Sequence, residues 1–357
     1  MNKDFQFDYS GIEAYHGHLC DEANLLKSSS GGASRAFASA IIKNGGVVFG
    51  VAYSDDYYSA EYCCIETLED VDKIIGSKYI YSEKKIHTRE RVESVYTAVA
   101  KELLCGREVL FFGLGCDIGA VRAFISKQKI NDEHLYLVDL ICQGPTYPFV
   151  QESYLKRLED RFNSRIDDFS VRYKHLGWTP PYIRVAFENG KEHIEAFYGS
   201  DYGFAFANCS KPGCYQCGFR GDHHESDVTI GDYWGINNDE EGFNRNGVSI
   251  MLVRSEKGKQ LLSRIDHKEF VVFGADIEKA LANNPMYFSC RTKYANIDRF
   301  HNNILELGLH KAVEKEVGVL RYQLLQMRRK LGMIYRNRIN NSQERNNKSL
   351  HVRGGNE

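Results

Sequence analysis

The chain has 357 residues, 43% of them hydrophobic and 26% charged, with a formal net charge of −2. That balance belongs to an ordinary globular protein of one large or two smaller domains, and it excludes a chain-wide basic field for nucleic acid or anionic membrane. No apolar run approaches the roughly 18 residues that span a bilayer, and Met1 to Tyr15 mixes acids and aromatics where a signal peptide would be basic and then apolar, so the expected compartment is the cytoplasm.

Residues 1–27 read as an irregular N-terminal arm. Ser28-Ser29-Ser30-Gly31-Gly32 is a loop of small residues ahead of a helix predicted over 33–43, with Ala36, Phe37, Ala40 and Ile41 on its apolar face. Asn44-Gly45-Gly46 ends that helix. Strands are predicted over 47–53 and 61–65, then a short helix over 67–75. Ser77, Lys78, Tyr79 and Ser82 form a polar, aromatic run. A helix is expected over 88–104, and a strand over 108–112 ending in Gly113-Leu114-Gly115-Cys116-Asp117. A helix over 118–129 and a strand over 135–141 follow, the strand ending in Cys142-Gln143-Gly144-Pro145. This alternation predicts an α/β fold with a largely parallel or mixed sheet and flanking helices.

Further on, a helix is expected over 154–162 and strands over 168–173, 183–188 and 227–230. The last runs into Gly231-Asp232-Tyr233-Trp234-Gly235. A strand over 247–254, a helix over 257–265 and helical composition over 304–338 complete the series. The tail from Arg321 carries nine Lys or Arg against two Glu, and residues 337–357 are too polar to fold alone. The expected organisation is an arm over 1–27, an α/β domain over 28–310 with a cluster loop at 205–235, and a helical to disordered basic tail over 311–357. Peripheral contact of that tail with acidic lipid is one reading, and a solvated end is the other.

Three of the ten cysteines crowd into Cys209-Ser-Lys-Pro-Gly-Cys214-Tyr-Gln-Cys217. Thiolates on a tight loop suit a soft metal, either zinc or an iron–sulfur cluster, with a fourth ligand from elsewhere. Cys116 and Cys142 are the candidates, because each follows the carboxyl end of a predicted parallel strand, where open α/β sheets bind ligands. The plain alternative for either is a buried structural thiol. The amides of Ser29 to Gly32, at a helix start, form either a phosphate site or a simple cap. Gly113 and Gly115 mark a close-approach loop, with the third glycine, Gly119, too late for a dinucleotide fingerprint. Lys78 and Tyr79 suit a flavin ring, or an exposed loop. Trp234 beside Asp232 either covers a planar cofactor or fills a core. His223 and His224 read as solvated loop residues or, less simply, metal ligands.

Taken together the segments resemble a known family. Ser-Ser-Gly-Gly-x-x-Arg-x-Phe, Val-Val-Phe-Gly-Val and Gly-Ser-Lys-Tyr-x-x-Ser occur in order over 29–82. Val-Leu-Phe-Phe-Gly-x-x-Cys and Val-Asp-Leu-Ile-Cys-x-Gly-Pro follow over 109–145. Cys-Tyr-x-Cys, Asp-Val-Thr-Ile-Gly-Asp-Tyr-Trp-Gly and Gly-Val-Ser lie over 214–249. This order resembles the coenzyme F420 hydrogenase/dehydrogenase beta subunit family. The resemblance implies an oxidoreductase with FAD and a 4Fe–4S cluster. It implies cluster ligands at Cys209, Cys214 and Cys217, with Cys116 or Cys142 as the fourth and Cys116 preferred. It implies flavin contacts at Ser29, Ser30, Gly31, Gly32, Ser77, Lys78, Tyr79, Ser82, Gly113 and Gly115.

Two departures stand out. Gly-Leu-Gly-Cys116-Asp117 replaces the family's Gly-Thr-Pro-Cys-Gln, and Gln143 replaces a histidine. No repeated-cysteine ferredoxin module precedes residue 63, so the expected electron source is a separate ferredoxin or partner subunit. The hydride acceptor is deazaflavin or an intermediate of surface polysaccharide biosynthesis. The alternatives are a non-catalytic electron-transfer subunit and a zinc-stapled binding protein.

Overall fold

The computed structural model describes residues 8–87, 91–322, 324 and 327. Its strands are β1 (Glu13–Leu19), β2 (Val47–Tyr53), β3 (Ala60–Ile65), β4 (Glu83–His87), β5 (Val92–Ser94), β6 (Val109–Leu114), β7 (Leu135–Leu140), β8 (Ile166–Tyr173), β9 (Tyr182–Phe187), β10 (Glu192–Ala196), β11 (Val228–Asp232), β12 (Ser249–Val253) and β13 (Phe270–Gly274). The α-helices are α1 (Glu22–Lys27), α2 (Ala33–Ile42), α3 (Val95–Leu104), α4 (Gly115–Lys127), α5 (Pro148–Phe162), α6 (Asp201–Asn208), α7 (Glu256–Ser263), α8 (Ile277–Leu281), α9 (Pro285–Phe288), α10 (Ile297–Leu307) and α11 (Leu309–Val317).

Ten strands form one mixed sheet, ordered β13-β1-β12-β11-β7-β6-β2-β3-β4-β5, and the other three form a small sheet, β10-β9-β8. The central strands β11, β7, β6 and β2 are parallel. Their residues are apolar at successive positions because both faces are covered. Val48, Leu110 and Val138 pack on one side with Phe37 and Ile41 of α2 and Leu261 of α7. Phe49, Val109, Phe111 and Leu137 pack on the other with Val99 of α3 and Val121 of α4. A separate core joins the small sheet to α5, α6, α10 and α11 through Val171, Leu155, Tyr202, Phe300 and Val313.

Residues 13–27 are not an arm. β1 lies between β12 and β13, antiparallel to both, and α1 is capped by the Asp21 side chain. His16, Gly17 and His18 hide the strand's period in the sequence. Gly17 is required there, since a Cβ would lie 1.9 Å from the Val271 carbonyl oxygen. The helix expected over 88–104 begins at Val95, after β5, and residues 88–90 lie outside the described set. The C-terminal boundary also moves. α11 is part of the second core, and His310 and Tyr322 both hydrogen-bond the buried Asp201. Of the basic tail, residues 323, 325, 326 and 328–357 lie outside the described set. No helix among those described is long and apolar enough to cross a membrane.

Candidate cofactor site at the carboxyl edge of the sheet

The parallel strands deliver their carboxyl ends to one edge, as the sequence predicts. β6 turns at Leu114 into α4, whose first turn carries Cys116. β7 runs into Cys142, and β11 into Tyr233 and Trp234. The glycines of the β6–α4 turn serve the chain itself. A Cβ on Gly115 would lie 2.8 Å from Cβ of Phe219, and one on Gly119 would lie 2.5 Å from the Phe219 ring. That close seat brings the cysteine loop against the start of α4. Gly113 is equally filled, with Asp117 and Phe111 each 2.9 Å from an added Cβ. Asp117 is held by Lys84 at 2.8 Å, the Tyr62 hydroxyl at 3.1 Å and the Leu114 amide at 3.2 Å. Lys84 also donates to Ser82 Oγ at 3.0 Å.

The thiols sort into two groups. Cys116 lies within reach of the charge of Cys142 and Cys217, and Cys142 within reach of that of Cys214 and Cys217. Cys142 Sγ accepts the Gly144 amide at 3.2 Å. Gly144 has a φ of 91°, and a Cβ there would stand 3.4 Å from Cys214 Sγ, so glycine is what lets these two loops meet. Burial pushes the Cys142 thiol up to about 11. Desolvation, then Asp117 and the neighbouring thiols, push Cys116 up to about 12. Cys209 stands apart. It is fully buried in the second core at the end of α6, where its amide donates to the Ala205 carbonyl at 2.7 Å and its own carbonyl accepts the Thr146 hydroxyl at 2.7 Å. A thiol not foreseen joins instead: Cys290 Sγ accepts the Cys217 amide at 3.2 Å. Among the described residues, no three His, Cys, Asp or Glu side chains are drawn together as a closed metal site.

Beside the thiols lies a corner of buried charge. Arg172, at the end of β8, donates to Asp232 Oδ1 at 2.9 Å and to the Ser29 carbonyl at 3.1 Å. Trp178 Nε1 donates to the same Asp232 oxygen at 2.9 Å. Trp178 and Trp234 stack, with ring centroids 4.6 Å apart and planes 7° from parallel. The Arg172 guanidinium lies 5.2 Å from the Trp234 ring centre. Lys174 donates to the carbonyls of Leu25 and Ser30 at 2.6 and 2.7 Å, and burial brings its ammonium down to about 7. Ser77 Oγ donates to Ser29 Oγ at 2.8 Å.

Gly31 is packed against the large sheet, a Cβ there meeting the Gly17 carbonyl at 2.2 Å and the Ser249 amide at 2.4 Å. Gly32 has a φ of 91° at the start of α2. Lys78 turns back on its own loop, donating to the Ile75 carbonyl at 2.8 Å, and desolvation brings it down to about 7. The sequence signalled the serines, Tyr79, Asp232 and Trp234. Arg172, Lys174 and Trp178 come from another part of the chain, in and just after β8, and had no local signal.

The two regions meet at Tyr79. Its ring stacks on Phe206 at 4.3 Å, and the Arg291 guanidinium covers Phe206 at 4.4 Å. The Tyr81 amide donates to the Thr146 carbonyl, and the Thr146 amide to the Tyr79 carbonyl. His224 also departs from its sequence reading. It is a buried partner of Asp139, at 2.5 Å, and Ser226 donates to the same carboxylate. It stacks on Tyr287.

Fold and site define an open α/β sheet protein with a thiol cluster at the carboxyl edge. Residues 106–278 match the family model for the carboxyl-terminal part of the beta subunit of coenzyme F420 hydrogenase/dehydrogenase. The chain is 22% identical over 283 residues to the F420-dependent formate dehydrogenase 1 subunit beta of Methanococcus maripaludis, an alignment covering 79% of this chain and 64% of the relative. The chain therefore spans less than two thirds of that relative's length. Its fold is shared with a chain of the F420-reducing [NiFe] hydrogenase complex from Methanosarcina barkeri, with a TM-score of 0.51 and 18% identity. That match covers 85% of this chain and 95% of the other.

Proposed function

We propose that this chain is an electron-transferring oxidoreductase subunit that holds a 4Fe–4S cluster on Cys116, Cys142, Cys214 and Cys217, with a flavin beside it. The observation that carries this reading is that three separate segments bring Cys116, Cys142 and the Cys214–Cys217 loop to one sheet edge, with Gly144, whose amide bonds Cys142 Sγ, seated against Cys214. Four thiolates match the softness and count of iron–sulfur ligation. Cys209 is assigned to packing, and the choice between Cys116 and Cys142 becomes both.

Bound there, the cluster supplies single-electron transfer and the flavin, as FAD, pairs electrons into a hydride. The chain's residues hold and orient. Gly144 spaces Cys142 from Cys214. Tyr79, on the segment shared with Ser77 and Ser82, offers its ring between the two regions. Arg172 and Asp232 fix the Trp178–Trp234 pair. With Gly31, Gly113 and Gly115 filled by packing, the flavin contacts fall to Ser29, Ser30, Ser77, Tyr79, Ser82 and Trp234. The relative's name points to F420 as the hydride acceptor, with electrons exchanged with a ferredoxin-like partner subunit. A sugar-pathway intermediate is the other acceptor class.

Anaerobic reconstitution tests the reading. The parent should take up about four iron and four sulfide per chain and retain FAD, and Cys214→Ser or Cys217→Ser should lose iron and sulfide together. Stoichiometric zinc in place of iron under strict anaerobiosis would overturn it. Reduction of F420 rather than of a sugar nucleotide by the loaded protein assigns the acceptor.

A further inference from the structure

We infer that Arg220 and Arg291 are the counter-charges of the thiol site, and that Arg291 raises the reduction potential of the group those thiols hold. The inference rests on the cluster reading above. Arg220 is buried, and its guanidinium finds only carbonyls: Cys142 O at 2.9 Å and Met286 O. Its Nε has no hydrogen-bond partner. Arg291 donates to the Phe206 carbonyl and, at 2.7 Å, to Gln143 Oε1, the residue after Cys142. Among the described residues, neither has a carboxylate within ion-pairing distance, whereas Arg172, Arg184 and Arg264 each do.

A buried guanidinium without an acid, as at Arg220, is unfavourable unless a negative group answers it. Cys142 lies within charge range of both arginines, and desolvation lowers the Arg291 pKa, as expected of a cation short of a partner. A four-thiolate iron–sulfur cluster is that partner, because it is anionic and gains one more negative charge when it accepts an electron. Positive charge nearby favours the reduced form, and net charge and hydrogen bonding set cluster potentials. Cys290, through the Cys217 amide, fastens the segment in place. Residues 290 and 291 lie outside the 106–278 family match.

The test is a redox titration of reconstituted protein, followed by electron paramagnetic resonance. Arg291→Gln should hold the parent's iron and sulfide with its midpoint shifted to more negative potential. Arg291→Lys should stay near the parent. Arg264→Gln, which removes a guanidinium paired to Glu108, should leave the midpoint unmoved. An Arg291→Gln midpoint equal to the parent's overturns the inference, as does Arg291→Lys shifting as far as the glutamine variant. Should Arg291→Gln lose its iron, Arg291→Lys decides: restored iron at the parent potential supports the charge role, and lost iron overturns it. A parent that takes up no iron overturns the cluster reading itself, which is a separate outcome.

Discussion

The serine–arginine corner and the thiol corner occupy neighbouring stretches of one sheet edge, and their polar groups are satisfied in different ways. In the first, Arg172, Asp232 and Trp178 answer one another, and Lys174 is held by two carbonyls. In the second, Arg220 and Arg291 reach only carbonyl and amide oxygens, and the Cys142 and Cys290 thiols accept backbone amides. A corner closed by its own ion pairs contributes to the fold. On the function proposed above, a corner with positive charge left over is built around a ligand. Substitutions in the first should therefore register as stability, and substitutions in the second as bound iron.

The largest expected contrast is between Asp232→Ala and Cys142→Ser. Asp232→Ala leaves the buried Arg172 guanidinium without its acid, a loss of about 3–5 kcal/mol by denaturant titration. Cys142→Ser should change the apo-protein by under about 1 kcal/mol while abolishing iron uptake. A small cost for Asp232→Ala would break the distinction.

A smaller effect is expected from Gly119→Ala. The added methyl meets the Phe219 ring, an overpacking cost of about 1–3 kcal/mol, offset by about 1 kcal/mol of helix propensity. The net loss should be accompanied by faster release of iron to a chelator, because Phe219 seats the cysteine loop on α4. Phe219→Leu in the same chain should restore both.

The smallest effect is one of pH. Burial brings Lys174 down to about 7, below its unfolded value near 10.4. Between those values the unfolded chain binds the extra proton, so stability rises with pH. The raised thiols act in the opposite sense: above about pH 8.5 the unfolded thiols lose protons that the folded ones keep, and stability falls. The rise, to which Lys78 contributes in the same sense, should therefore show between about pH 7 and 8.5, and Lys174→Met should reduce it in denaturation midpoints. An unchanged slope would mean that the two carbonyls keep the ammonium charged.

Much of this was readable in the chain. Apolar strands broken by helices signalled the central parallel strands, and the rule that ligands gather at carboxyl ends put Cys116 and Cys142 at the edge where the structure has them. Local spacing grouped Cys209 with Cys214 and Cys217, but α6 carries it into the second core before the loop turns back. Glycines near 113–119 signalled close approach without revealing that the approaching group is Phe219. β1 was invisible because its two histidines and a glycine mask the alternation. Arg172, Trp178 and Arg291 owe their places to contacts across elements far apart in sequence, which no window of residues can report.

Thr146 has a further consequence. Its backbone bridges Ile80 on one side and Ser210 on the other, and its hydroxyl holds the Cys209 carbonyl. One residue thus pins the segment that carries Tyr79 to the loop that carries Cys214. Occupancy at either corner that orders this shared joint lowers the ordering cost left for the other, and thermodynamic linkage makes the benefit mutual. On the proposed two-cofactor reading, whichever cofactor arrives first prepares the seat of the second, and half-loaded chains are depleted relative to independent loading.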